Sequence, residues 1–352
     1  MSQEYVGIDL HRRRTVIVRM TEAGEEIERV RIDSDPVAFA LKFGDLEPGT
    51  DVVLEATYGW YWAADLLADH GLNVHLAHPL GINGFKNRRV KDDFRDAADL
   101  ADLLRMDRLP EGWIAPPEIR ELRELVRYRA KLVALRSGAK AQVHAVLAKL
   151  GVRVDVTDLF GVSGNELLDD LCPEGAYRLR VASLRDLIDV YDGEIAFFNK
   201  EIRTALKDHP GYRAIQAIPG IGPVIAAILV VEIGDITRFE RACKLCSWAG
   251  VTPRHRESDA IVHRGHITKQ GPRIVRWAIV EAATNLSGDT KQGRDYRRIR
   301  PPRQVDRARC RRPQASDPRV LRTKRRSHLL PRATGAGGVR PTATTGARSP
   351  AD

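Results

Sequence analysis

Apolar and polar positions alternate with a short period in the first third of the chain and then change to a longer one. Residues 5–10 (YVGIDL) and 15–20 (TVIVRM) have the composition and period of short strands, and ERVRIDS (28–34) follows across the turn signal EAGEE. Three strands joined so closely predict an antiparallel meander. A short helical stretch from Pro36, a strand DVVLEA (51–56), a helix over 60–69, a strand LNVHLAH (72–78) and an aspartate-rich helix, KDDFRDAADLADLLR (91–105), come next. Strands followed by alternating helix and strand predict a mixed α/β sheet.

After the breaker LPEGWIAPPE (109–118) the period is helical. Leu122, Leu125, Leu132, Leu135, Val143, Val146 and Leu150 fall largely on one stripe, and Ile188, Tyr191, Ile195, Phe198, Ile202 and Ala205 recur at spacings of three and four. That is the seam spacing of a coiled coil, and with the loop-rich stretch 151–175 between them the pair predicts an antiparallel hairpin or a dimer stalk. A mostly helical region runs from Gly211 to about Leu286, and beyond it apolar periodicity stops. The domain boundaries expected are 1–108, 109–210, 211–290 and a basic tail of low order, 291–352.

Composition changes this picture in two places. The formal charge of +10 suggests a polyanionic partner, yet residues 291–352 hold 18 Lys and Arg against 4 Asp and Glu. Residues 1–290 hold 39 against 43, so a case for nucleic acid rests on local sites rather than on overall charge. The Arg- and Pro-rich run 306–326 reads literally as a disordered basic arm, but its codons are compatible with a neighbouring frame encoding an amphipathic helix, which predicts a frameshift near 297–305. The chain has no apolar run of the length that spans a membrane, and MSQEYVGIDL lacks a signal-peptide pattern, which points to the cytoplasm. Its four cysteines are too scattered for a disulfide framework, and Cys243 and Cys246 read as two thiols packed one turn apart on a helix.

Candidate chemistry lies in the carboxylates. Asp9 sits inside an apolar strand, where a buried charge is costly unless paired or metal-bound, and Glu55 ends the apolar run VVLE. On the acidic helix, Phe94, Ala97, Ala101 and Leu104 form the apolar face, which leaves Asp99 and Asp102 to solvent or arginine partners. Asp93 and Asp96 project side by side at the first turn, where the helix dipole favours acids with or without a metal. Carboxylates converging from separate elements are what a divalent metal site requires. Downstream, IPGIGP places Gly220 and Gly222 in a turn leading into a helix, either a phosphate-holding N-terminus or a tight turn between packed helices.

The ordered set VGIDLH, LEATYGWYWAADLLADHGLNVHLAHP, K-x-D-x-x-DA (Lys91, Asp93, Asp96, Ala97), IPGIGPVIAAILVVEIGDITRF, AGVTPR and GHITKQGPRIVR resembles the DEDD insertion-sequence transposases, a group that includes pilin-gene invertases. The resemblance covers residues 5 to about 290. It implies an RNase H-like (RuvC-like) N-terminal domain, a helical coiled-coil insertion, and a mostly α transposase domain with a helix-hairpin-helix-like turn. It places the four acids of a Mg²⁺ site on Asp9, Glu55, Asp93 and Asp96, with Asp92 as a competing ligand, and a nucleophilic serine on Ser258. Read without the resemblance, Ser258 is a serine in a polar loop. Its setting is basic, with Arg254, His255, Arg256, His263 and Arg264 nearby, and Lys269, Arg273 and Arg276 are candidate phosphate contacts. Asp259 follows the serine where the family has glycine.

The activity implied is Mg²⁺-assisted DNA recombination through a phosphoserine-linked intermediate. The implied partners are DNA, a structured guide RNA and further copies of the chain in a dimer or tetramer with a composite site. The alternatives are a metal-dependent structure-specific nuclease that uses water, and an inactive nucleic-acid-binding product of a decayed element.

Overall fold

The computed structural model describes residues 3–82, 92–154, 156–171, 174–258 and 261–299. The chain opens with β1 (Glu4–Leu10), β2 (Arg14–Thr21) and β3 (Glu26–Asp33), paired antiparallel in sequence order as the meander predicted. Helix α1 (Pro36–Phe43) starts where the Asp35 carboxylate accepts hydrogen bonds from the Val37 and Ala38 amides. Strand β4 (Asp51–Glu55), helix α2 (Trp60–Asp69), β5 (Asn73–Ala77), the short α3 (Pro79–Ile82) and α4 (Asp93–Arg105) complete the N-terminal part. Strands β4 and β5 run parallel to β1, so the five-stranded sheet has the order β3-β2-β1-β4-β5.

Strand alternation decides what each face of this sheet buries. Val6, Ile8, Leu10, Val52 and Leu54 pack with Phe39 and Phe43 of α1 and Ala63, Ala64 and Leu67 of α2. The opposite face carries α4: Ala97 and Ala101 lie against Val16 and Val18, while Leu100, Leu103 and Leu104 cover Val53. A Cβ on Gly7 would stand 1.9 Å from the Ala97 carbonyl oxygen, so the missing side chain is what lets α4 approach β1.

Two long helices follow, α5 (Pro117–Lys149) and α7 (Ala176–Leu206), with α6 (Val162–Leu171) between them. They pair antiparallel: Tyr128 meets Phe198, Arg136 pairs with Asp192, and Arg180 donates to Gln142 at 3.0 Å. Of the stripes read from the spacing, Ile188, Ile195 and Ile202 of α7 are buried and Tyr191 and Phe198 half-buried, whereas Ala205 and, on α5, Leu135 are exposed. Helix α6 corrects the loop-rich reading of 151–175; its buried Leu168 joins Leu159 in a core at the far end of the pair. At the near end Arg120 is 7% exposed, pairs with Asp65 and covers the Tyr61 ring, which fastens α5 to α2.

The remaining elements are α8 (Pro210–Gln216), α9 (Pro223–Ile233), α10 (Ala242–Trp248), the antiparallel ribbon β6 (Pro253–Ser258) and β7 (Ile261–Ile267), and α11 (Arg273–Thr284). Helix α9 is apolar nearly throughout and forms the centre of their core with Ala249, Val275 and Ala278. The ribbon is an element the helical reading omitted. Cys243 and Cys246 lie one turn apart on α10 as expected but are exposed, not packed; Trp248, half-buried, is the residue of that helix that packs against the core. Residues from Leu286 belong to a second unit, whose described part holds α12 (Lys291–Ile299). Cys172, Cys310 and the stretch 306–326 lie outside the described residues. No helix among the described residues is long and apolar enough to cross a membrane.

Candidate active site

Asp9 follows from the alternation of β1. Since Val6, Ile8 and Leu10 face α1 and α2, Gly7 and Asp9 face α4, and Asp9 is 7% exposed. Leu54 shares a rung with Ile8, so Glu55 comes on the next rung of the neighbouring parallel strand, on the same face as Asp9. Adjacent strands lie about 4.8 Å apart, which makes these two carboxylates neighbours across the sheet end.

The acidic helix supplies the other side. Asp92 is the N-cap of α4, with its carboxylate accepting from the Phe94 amide at 3.2 Å; this gives it a structural task. Asp93 is the first helical residue, one turn before Ala97 on the face that meets the sheet. Helix α4 passes Gly7 at Ala97 and Ala101, so its N-terminal turn arrives at the end of β1, where Asp9 lies. His11, just beyond β1, completes the arrangement. Its Nε2 is 3.1 Å from the Asp9 carboxylate and 3.7 Å from that of Asp93, and Arg31 reaches Asp93 at 3.9 Å.

Asp9, His11 and Asp93 can thus offer ligand atoms within 4.8 Å of one another. Asp96 and Glu55 are half-buried on the flanks and do not belong to that trio. Asp102 is held by Arg105 at 2.6 Å, in agreement with a surface ion pair. His11 is the residue that sequence reasoning missed; its place immediately after the aspartate-bearing strand, in VGIDLH, was the available signal. A donor set of carboxylate oxygens and an imidazole suits a small divalent cation.

The second group of candidates lies near the ribbon. Gly220 has φ +85°, and Gly222 caps α9 without any side-chain hydrogen bond, so the first-turn amides of that helix have no capping acceptor. All six residues of β6 are exposed. The register pairs Ser258 with Ile261 and Arg256 with His263. Directly opposed residues share a face and so do alternate residues of one strand, which puts Arg254, Arg256, Ser258 and His263 together. Asp259 lies outside the described residues, and so does the Arg264 side chain.

Arg273 opens α11 exposed, and Lys269 takes φ +58° in the preceding turn. Arg276 is already engaged: one guanidinium nitrogen donates to the carbonyls of Gly271 at 2.8 Å, Gln270 at 3.1 Å and Ala249 at 3.3 Å.

Residues 6–151 match a family model described as a transposase, of the DEDD IS110 type, and residues 212–298 match the model "Transposase IS116/IS110/IS902 family". The chain is similar to the y4pF/y4sB protein of Sinorhizobium fredii, at 25% identity over 72% of this chain and 66% of the relative. It is 27% identical to the IS116 insertion-element protein of Streptomyces clavuligerus, over 66% of this chain and 70% of that protein. With the transposase for insertion sequence element IS1111A of Coxiella burnetii the identity is 24%, over 70% of this chain and 69% of the relative. The matched region spans about two thirds of the length of each.

Proposed function

This chain belongs to the DEDD-type transposase family of IS110-like insertion elements, and from that premise we propose that it cuts and rejoins DNA as a metal-assisted recombinase. The observation that carries the reading is the convergence of Asp9 and Asp93, from a central strand and a helix N-terminus, at one end of a mixed sheet. An antiparallel meander continued by two parallel strands in the order β3-β2-β1-β4-β5 supports an RNase H-like N-terminal domain. The antiparallel α5–α7 pair supports the coiled-coil insertion, and the sequence boundaries 108, 210 and 290 remain the domain limits we propose.

Asp9 and Asp93 would hold Mg²⁺, with Glu55 and Asp96 completing the set from the flanks. Bound there, the ion supplies charge neutralisation for a pentavalent phosphate. The chain's own groups do the rest. His11, between the two carboxylates, positions them in the absence of an ion. The Ser258 hydroxyl, on the ribbon face that also carries Arg254, Arg256 and His263, attacks the scissile phosphorus. Its oxygen forms the new bond to phosphorus, its proton leaves to a base, and the displaced strand departs as an alcohol once protonated. The two arginines neutralise the phosphate oxygens while the phosphoserine link persists, and strand exchange reverses the step on a second DNA end. The amides at the Gly222 end of α9, with Gly220 making the turn, and the exposed Lys269 and Arg273 hold flanking phosphates. DNA is the substrate, and a guide RNA and a dimer or tetramer are the further partners.

The test is denaturing electrophoresis of the protein with element-end DNA and Mg²⁺. The wild type forms a covalent protein–DNA adduct, and Ser258→Ala forms none. Cleavage that persists undiminished in Ser258→Ala without an adduct replaces this reading with a nuclease that uses water.

A further inference from the structure

A cleft of about 600 Å³ opens beside the acidic end of the sheet. Ala77, the last residue of β5, shares a rung with Glu55, and the next residue, His78, already lines the cleft. The other walls come from Trp113, from α5, from the end of α9 and Arg238 beyond it, from the end of α10, and from the turn before α11. The cleft therefore begins one residue beyond the level of the carboxylates, at the same sheet end.

Its chemistry is cationic and aromatic. Arg127 makes a two-pronged bond, at 2.7 and 2.8 Å, to the carboxylate of Glu232, which is 1% exposed. Arg123 donates to the carbonyls of Val231 at 3.2 Å and Glu232 at 2.9 Å, and its guanidinium lies over Trp113. Among the described residues Arg238 makes a single bond, to the Ile233 carbonyl at 3.1 Å, while its buried Nε has no acceptor there. The same guanidinium lies 4.5 Å from the ring centre of Trp113 and 5.1 Å from that of Trp248.

Glu111, the other acid of the cleft, is bonded by His75. Among the described residues that line the cleft, three guanidiniums face two carboxylates, both engaged, and Asp235, which acts on Arg238 from outside the lining, is bonded by Thr237. Burial pulls the Arg123 and Arg238 pKa values below the ordinary arginine value; Glu232 opposes this at Arg123 and Asp235 at Arg238, while the neighbouring guanidiniums add to it. Positive charge held out of water and short of acceptors is a standing cost that an anionic ligand removes. Trp113 carries the Arg123 and Arg238 guanidiniums, Trp248 carries Arg238, and both indoles are half-buried. The surface offered to a base is therefore their exposed part together with the guanidinium planes stacked on them, both of which bases stack on.

We propose that this cleft binds one unpaired nucleotide of a nucleic-acid strand that the acidic site acts on or is guided by, with its phosphate on Arg238 and Arg123 and its base against the Trp113 and Trp248 planes. It rests on the nucleic-acid reading above and adds a place for a base that is not in a duplex.

The test uses the full chain and oligonucleotides carrying a central 2-aminopurine, as single-stranded DNA, single-stranded RNA and duplex. Stacking in the cleft quenches the fluorescence of the single-stranded probes and leaves the duplex unquenched; the DNA and RNA arms tell which strand is preferred. Ser247 is an exposed residue on the cleft rim, so Ser247→Glu adds an anion there with the fold intact, as a native melting curve checks. It should weaken single-strand binding about tenfold, as should Arg238→Gln, given the usual worth of one stacked base. Inorganic phosphate should compete. Should Arg238→Gln fail to fold, Ser247→Glu decides. Asp9→Asn, which removes a proposed metal ligand, should retain the quench, so a failure of the recombinase chemistry is distinguishable from a failure of this site. Wild-type affinity in a folded Ser247→Glu, or equal quenching of the duplex, overturns the proposal.

Discussion

Replacing Gly7 with alanine tests whether the closeness of β1 and α4 builds the acidic site. The added Cβ would stand 1.9 Å from the Ala97 carbonyl oxygen and 2.8 Å from the Ala101 amide nitrogen, both backbone atoms that no rotamer change can move aside. Ordinary contact begins near 3.4 Å, so α4 must retreat by about 1.5 Å, or β1 must buckle. Overpacking of this kind costs about 1–3 kcal/mol, which at roughly 4–8 °C per kcal/mol for a domain of about 100 residues lowers the melting temperature by about 4–24 °C. Function should suffer more than stability. Asp93 rides on the first turn of α4 and Asp9 on β1, and a misplacement of about 1 Å in a catalytic geometry can cost on the order of a hundredfold in rate. Differential scanning fluorimetry and Mg²⁺-dependent cleavage of element-end DNA should show a melting shift within that range, with the protein still folded at the assay temperature, and a disproportionate loss of cleavage. A Gly7→Ala protein with wild-type melting and wild-type cleavage would refute the claim that this contact sets the site.

Two further outcomes follow from the packing. The Glu28 carboxyl is held below its ordinary value, chiefly by the Lys42 hydrogen bond and further by Arg19, so its stabilisation is present at neutral pH and lost as pH falls through the acid range. Glu28→Gln should therefore melt lower than wild type at pH 7, the two curves converging below about pH 4 in a melting series. In Gly271→Ala a Cβ would meet the Trp248 carbonyl oxygen at 1.9 Å at a residue with φ +87°, so clash and backbone strain add; a loss of about 2–4 kcal/mol is expected, read by urea unfolding.

What the sequence made legible followed periodicity. The strand set, the apolar face of α4 and the inner stripe of α7 each carry a side-chain repeat that burial alone enforces, and the structure places them as that repeat predicts. The β6–β7 ribbon was missed for the same reason: PRHRES is exposed at every position, so no buried face printed an alternation on it. Helix α6 was hidden by its few apolar residues; Leu168 among them is fully buried. Asp9, Asp93 and Asp96 were read as candidates from their setting, but spacing could not separate Asp92 from Asp93. The N-cap hydrogen bond to Phe94 separates them, because it turns one carboxylate toward its own helix while the other meets His11. The cleft beside β5 had no signature at all, since its arginines and tryptophans come from four separate stretches of chain that only the tertiary fold assembles.

The central claim is that Asp9 and Asp93 together hold the divalent ion used in DNA cleavage. Calorimetric titration of Mg²⁺ into wild type, Asp9→Asn and Asp93→Asn, paired with cleavage of element-end DNA by the same preparations, addresses it directly. The account predicts a Mg²⁺ binding signal in the wild type that is lost in both variants along with cleavage, while their melting curves stay native. Full Mg²⁺ binding and undiminished cleavage in a folded Asp93→Asn would contradict it.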